Sequence, residues 1–220
     1  MLGSRTDLLT ALLVWGIALP STAGAASLLA SVKGDDGALV ADAVVEAVPL
    51  DGGGMPTQAA TVKIDQVDKE YVPYITALRV GTTVNFPNLD NIRHHVYSFS
   101  EAKTFEIPLY RGTPPAPILF DKPGPVTLGC NIHDWMTAYV FVSEAPYFGM
   151  TGADGSVTLR DLPAGDYELR VWHPELKGEA DSTAQRVSIS GADASVSFTI
   201  QQKRLWRARR APTVGQGSYR

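Results

Sequence analysis

The chain has 220 residues, 45% apolar and 19% charged, with one cysteine and a formal net charge of -4. That balance is globular and allows one large or two small domains; it excludes a fibre and a helical membrane bundle, and the lone Cys130 excludes a disulfide within the chain. The charge is uneven: Lys203, Arg204, Arg207, Arg209, Arg210 and Arg220 put +6 in the last residues, while residues 26–202 carry 12 basic and 22 acidic side chains.

At the start, Leu8 to Leu19 is an apolar run behind Arg5 and ahead of Pro20 and a stretch of small residues ending Ala23-Gly24-Ala25. It is shorter than the roughly 20 residues needed to span a bilayer. A basic start, an apolar middle and an Ala-x-Ala end predict a secretory signal peptide over residues 1–25, cut after Ala25, and export to the periplasm. The alternatives are a buried helix or an uncleaved anchor. No later segment is apolar enough for a stable membrane span.

From residue 26 onward, β-branched and aromatic runs are broken by Gly, Pro, Asn and Asp every eight to twelve residues, which predicts an all-β chain. Strands are expected at Leu28 to Val32, Ala43 to Val48, Ala60 to Ile64, Tyr74 to Val80, Thr83 to Phe86, His94 to Phe99, Thr104 to Ile107, Pro125 to Leu128 and Thr137 to Val142. Further on, Asp154-Gly155 is a hairpin signal, Gly165 fits a second tight turn, and Ala184 to Ile200 alternates again. The last residues, 202–220, read as a basic disordered tail. Its single aromatic in the basic run and the expected export argue against nucleic acid as a partner.

Thr151, Asp154, Gly155, Leu159, Leu162, Pro163, Gly165 and Tyr167 form a T-x-x-D-G-x-x-x-L-x-x-L-P-x-G-x-Y pattern. The pattern resembles small β-sandwich modules of the carboxypeptidase-regulatory or transthyretin-like type. That resemblance implies a sandwich over residues 145–201. The run from Ser31 to Val48, within residues 26–58, resembles the opening strands of the same module. The segment between, 59–144, is then inserted into or flanked by a discontinuous sandwich, with Asp51 to Pro56 as the crossing linker. The plainer alternative is an independent N-terminal hairpin packed on that segment.

The chemistry concentrates in Gly129-Cys130-Asn131-Ile132-His133-Asp134-Trp135-Met136, between two expected strands. In an exported chain a single cysteine is a buried thiol, a bond to another chain, or a thiolate committed to a metal. A thiol, an imidazole and a thioether within seven residues favour the last. A tight loop can bring three donors to one point and leave a fourth to another strand, where His94 and His95 are available. Successive strand residues face opposite sides, so an undistorted strand offers one of the two. Tyr97 and Phe99, the expected core residues, share a face with His95, whereas motif position favours His94. Trp135 is expected to pack, and the separate His173 to be structural, with a second metal site there as the alternative.

The Cys-x-x-His-x-x-Met spacing resembles the amicyanin loop of the cupredoxin family, shorter than that of plastocyanin. Val80 to Asp90 followed by His94-His95-Val96 resembles the family's G-x-x-V-x-F-x-N-x-D and H-N-V strand and turn. The resemblance spans roughly residues 60–143. It implies a cupredoxin-like Greek-key β-barrel or sandwich holding one type 1 copper ion, with His94, Cys130 and His133 equatorial, Met136 axial, and His95 as the alternative to His94. His95 stands where the family often has the asparagine that braces the cysteine loop, so that support is altered or the ligand is shifted.

The function implied is one-electron transfer, not catalysis, between redox proteins such as a c-type cytochrome or a periplasmic dehydrogenase. The competing readings are a copper enzyme, a copper carrier or sensor, and a metal-free binding sandwich. Oligomeric state is left open by the sequence.

Overall fold

The computed structural model describes residues 26–53, 60–114, 116–203 and 205; the predicted signal peptide, part of the linker and most of the basic tail lie outside them. The described residues are all-β with no α-helix, only a 3-10 turn at Ala180–Thr183. In chain order the strands are β1 (Ala26–Gly34), β2 (Val44–Pro49), β3 (Thr61–Lys63), β4 (Asp65–Val67), β5 (Glu70–Val72) and β6 (Ile75–Arg79). Next come β7 (Thr82–Asn85), β8 (His94–Ser100), β9 (Lys103–Tyr110), β10 (Ile118–Phe120), β11 (Gly124–Gly129) and β12 (Thr137–Ser143). The last are β13 (Tyr147–Met150), β14 (Ser156–Leu162), β15 (Gly165–Trp172), β16 (Gln185–Ile189) and β17 (Ala194–Ile200).

These strands enclose two hydrophobic cores. A five-stranded sheet, β6-β12-β11-β8-β9, and a three-stranded sheet, β10-β7-β3, enclose one, with the β4–β5 hairpin beside them. The second lies between the sheets β14-β1-β17 and β13-β2-β15-β16. Neither β1 nor β2 pairs with any of the strands β3 to β12. Strand β2 instead lies between β13 and β15, so the chain leaves at the end of β2 and returns beside it, Tyr147 opposite Ala47. The strands carrying the cysteine loop are thus spliced between two neighbours of one sheet.

Strand alternation explains how the two halves meet. In β12, Ala138, Val140 and Val142 enter the first core, while Tyr139 and Phe141 face outward. In β2 and β15, Val45, Ala47, Leu169 and Val171 enter the second core, while Val44 and Trp172 face the other way. Both outer faces are apolar because they cover each other, and a strand buried on both faces reads as a near-continuous apolar run. Phe141 and Trp172 stack at 4.9 Å between ring centroids. Arg79 closes the joint by donating to the carbonyls of Ala145 (2.8 Å) and Pro146 (2.9 Å) on the returning chain.

Two expectations are corrected. Asp154-Gly155 does not close a hairpin: β13 pairs with β2 and β14 with β1, so this turn carries the chain from one sheet to the other. Gly155, at φ +67°, supplies the left-handed conformation, and its Cα lies too near the Val32 carbonyl for a Cβ, which would come within 2.8 Å. The short strands β4, β5, β10 and β13 were not expected, since three or four residues are too few to show a period.

Glu46 lies on the joint face of β2 and accepts a hydrogen bond from the Ser143 hydroxyl. Burial raises its pKa above the ordinary carboxylate value, with the Ser143 bond and the nearby Arg170 charge opposing. Because the folded value is the raised one, the stabilising contribution is fully present below the unfolded pKa and is lost as pH rises through the folded pKa. Glu46→Gln keeps an acceptor for Ser143 and removes that loss. Urea denaturation should find the variant more stable than the parent at neutral pH and equal to it at acidic pH.

Candidate metal centre

Alternation along two strands of the five-stranded sheet brings the first two donors together. In β11, Val126 and Leu128 point into the core, and Cys130, two residues on, continues on that face, 4% exposed. In β8 the inward residues are His94, Val96 and Ser98, all fully buried. Tyr97 is only partly buried and Phe99 is 79% exposed, so the expectation that they form the core face is wrong. The outer side of β8 lies beyond the joint and is left uncovered there, so its aromatics meet solvent. His95 shares that outer side, its ring 5.5 Å from Tyr97 and its Nε2 3.0 Å from Glu106 Oε1, out of line for a hydrogen bond.

The third donor comes from the loop after Cys130, where the Met136 amide donates to the His133 carbonyl at 2.9 Å and folds the loop back. Cys130 Sγ lies 4.0 Å from His94 Nδ1 and 3.8 Å from His133 Nδ1, and the three donor atoms fall within 4.8 Å of one another. Among the described residues this is the one group of three or more His, Cys, Asp or Glu side chains so arranged. Met136 is buried in the cluster that contains Cys130. His173 is elsewhere, its Nδ1 accepting from the Glu175 amide at 3.2 Å.

The site is braced. His94 Nε2 is 2.7 Å from Asp90 Oδ2, so its proton sits on Nε2 and the Nδ1 lone pair is left facing Cys130. Asp90 also accepts from the amides of Asp68 (2.7 Å) and Lys69 (2.9 Å). These two residues form the tip of the β4–β5 hairpin, both in the left-handed region at φ +53° and +62°, which turns their amides toward the carboxylate. Partial burial raises the Asp90 pKa, but the bonds from His94, Lys69 and Asp68 outweigh it and hold the carboxyl below the usual range. Asn88 shapes the loop ahead of His94, donating to the carbonyls of Ile92 (2.9 Å) and Tyr110 (2.8 Å). For His133, burial first and the Lys69 charge after it lower the pKa against an opposing pull from Asp90. Both effects favour a neutral imidazole, the form that binds metal.

The donor set fits a small thiophilic ion. Bonds of about 2.3 Å to sulfur and about 2.0–2.1 Å to nitrogen, set about 120° apart, separate S from N by about 3.8 Å. The observed 3.8 and 4.0 Å lie close to that. One thiolate and two imidazoles, with a thioether close in sequence, are donors that suit copper.

No family model matches the chain, and no curated protein does. Among solved structures it is similar to a Cu-containing nitrite reductase from Thermus scotoductus SA-01, at 26% identity and a TM-score of 0.37, covering 44% of this chain. It spans only 25% of that chain. It is also similar to a purple cupredoxin from Nitrosopumilus maritimus, at 26% identity over 38% of this chain and 99% of that one, TM-score 0.33. A third is a reduced amicyanin mutant, at 18% identity over 44% and 99%, TM-score 0.35.

Sequence reasoning missed the role of Asp90, although it stands in the quoted N-x-D motif four residues before His94. It also missed the β4–β5 hairpin, because Asp-Lys is not the Asn-Gly or Asp-Gly signature of a tight left-handed turn. Replacing Asp90 with Ala should leave His94 as a mixture of tautomers, visible by imidazole nitrogen NMR. The same variant should lower metal affinity about 10- to 100-fold, the usual cost of removing such a partner.

Proposed function

We propose that this chain is an exported, cupredoxin-type copper protein that carries single electrons between redox proteins of the periplasm. His94, Cys130, His133 and Met136 would hold the copper, the first three through the donor atoms the fold brings together. The observation that carries the reading is the convergence of one sulfur and two imidazole nitrogens within 4.8 Å, with the Asp90 carboxylate 2.7 Å from the other nitrogen of His94. The bound copper would supply a one-electron couple, because such ligands suit both Cu(I) and Cu(II). The residues' part is to hold the donors in one arrangement in either state. His94 over His95 is supported by the inward face of His94 and the outward face of His95.

Export is proposed from residues 1–25, and the division into a copper-binding segment, 59–144, within a sandwich of 26–58 and 145–201 is proposed from strand pairing. Among the described residues no helix is long and apolar enough to cross a membrane.

Reconstitution with Cu(II) tests the site: an intense visible charge-transfer band is expected, and Cys130→Ser should abolish it. A protein that takes up no copper, or keeps the band without the thiol, sinks the proposal. Reduction by a c-type cytochrome at a rate matching turnover separates the electron carrier from a copper carrier or sensor.

The surface next to His133 supports docking of a partner. Ile92, Leu109 and Ile132 line a shallow apolar patch with Arg93 and Arg111, and Leu109 and Ile132 are about half exposed. Lys69 adds positive charge near His133, and Asp134 is the acid on the same loop. Basic groups at this end of an acidic body favour a redox partner with an acidic rim. Arg93→Glu with Arg111→Glu should slow reduction by such a partner and reverse its salt dependence while leaving the copper spectrum unchanged.

A further inference from the structure

Tyr71 is buried at 3% exposure on β5, and its hydroxyl lies 2.9 Å from the Gly129 carbonyl and 3.1 Å from the His95 carbonyl. Gly129 immediately precedes Cys130, and His95 immediately follows His94. The two strands that carry these residues, β8 and β11, are registered to each other at one pair, Gly129 opposite Tyr97, and β11 ends there. On the other side of β8, the pairing with β9 shifts between His94 and Val96, so His95 is the irregular residue of that ladder. Strand β11 is paired with β12 as far as Gly129, opposite Thr137, so Cys130 lies just past the last rung and His95 lies at the shift of the other ladder, and neither has a residue paired across from it in these ladders. The Tyr71 hydroxyl lies within hydrogen-bond distance of one carbonyl on each strand, next to each of the two ligand positions.

The hairpin that carries Tyr71 makes the second support as well, because its tip amides hold Asp90, which holds His94. We infer that Tyr71 is a positioning residue for the copper site, its hydroxyl fixing the separation of Cys130 from His94. Through Tyr71 and Asp90 the β4–β5 hairpin acts as a clamp on these two ligands. This rests on the electron-carrier reading. Burial, with a lesser push from the Cys130 charge, raises the phenol pKa, so the hydroxyl keeps its proton and remains a donor. With copper bound, such a clamp would hold the sulfur and the nitrogen at one spacing, and Tyr71 and Asp90 are the residues that would do so.

The test is Tyr71→Phe in the full chain, which deletes one oxygen and keeps the ring in the core. Tyr167→Phe is the control, since that hydroxyl donates to the Pro163 carbonyl at 2.9 Å, beside the other core. Expected for Tyr71→Phe are about 10- to 100-fold weaker copper binding, an altered ratio of the visible charge-transfer bands and a shifted reduction potential. Tyr167→Phe should change none of these. If both variants keep the parent's affinity, spectrum and potential while melting earlier, Tyr71 is packing alone and the inference is overturned. If the parent itself takes up no copper, the electron-carrier reading fails first and takes this one with it. Should Tyr71→Phe not fold, a fluorinated tyrosine placed at 71 keeps the ring and the hydroxyl and alters only the donor strength. A changed charge-transfer ratio then supports the clamp, and an unchanged spectrum overturns it.

Discussion

The donor cluster depends on a lone pair being kept aimed at a sulfur. An imidazole has two nitrogens, and with its proton on the wrong one His94 would present an N–H to Cys130 where a donor pair is needed. Asp90 decides this by accepting from Nε2 at 2.7 Å, and it can do so because two amides at a hairpin tip keep its carboxylate ionised and in place. The site is thus supported in layers, from the backbone of Asp68 and Lys69 to a carboxylate, to an imidazole, to the space beside the thiol. Only the innermost layer consists of side chains that could hold a metal ion.

The rest of the molecule serves that end of the sheet from a distance. Strands β6 and β12 bury their outer faces against β2 and β15, so the five-stranded sheet is covered over one part and open over another. The open part leaves Phe99 in solvent, and the end beyond it presents the patch of Ile92, Leu109 and Ile132. The splice between β2 and β13 ties the joint at both crossings, because the departing and the returning chain are paired in one sheet. Phe141 stacked on Trp172 and Arg79 bonded to the returning carbonyls anchor it further.

Much of this was legible in the residues. Turn signals at short intervals were enough for the all-β chain, because Gly, Pro and Asp interrupt structure locally whatever surrounds them. The crowding of Cys130, His133 and Met136 was equally legible, since donors in one short loop are neighbours in any fold that closes it. The choice between His94 and His95 was not, because it turns on which side of β8 is covered. Exposed aromatics on the outer side made the parity of Tyr97 and Phe99 point the wrong way. The Asp154-Gly155 turn misled for a related reason: a tight turn looks the same whether its flanking strands pair with each other or with strands far along the chain.

Read alone, the amino-acid order was enough for the class of the fold and for the crowding of Cys130, His133 and Met136 in one loop, because local spacing and local conformational preference act within a few residues. Tertiary structure alone decided that His94 faces the thiol, that two hairpin-tip amides hold the Asp90 carboxylate beside it, and that the Tyr71 hydroxyl of a three-residue strand reaches a carbonyl on each of β8 and β11. Asp90 and His94 are only four residues apart, but the contacts that place them join distant segments: Asp90 to Asp68 at a separation of 22, His94 to Cys130 at 36, and Tyr71 to His95 and Gly129 at 24 and 58. Contacts at that range are set by the packing of whole sheets, which no local pattern encodes.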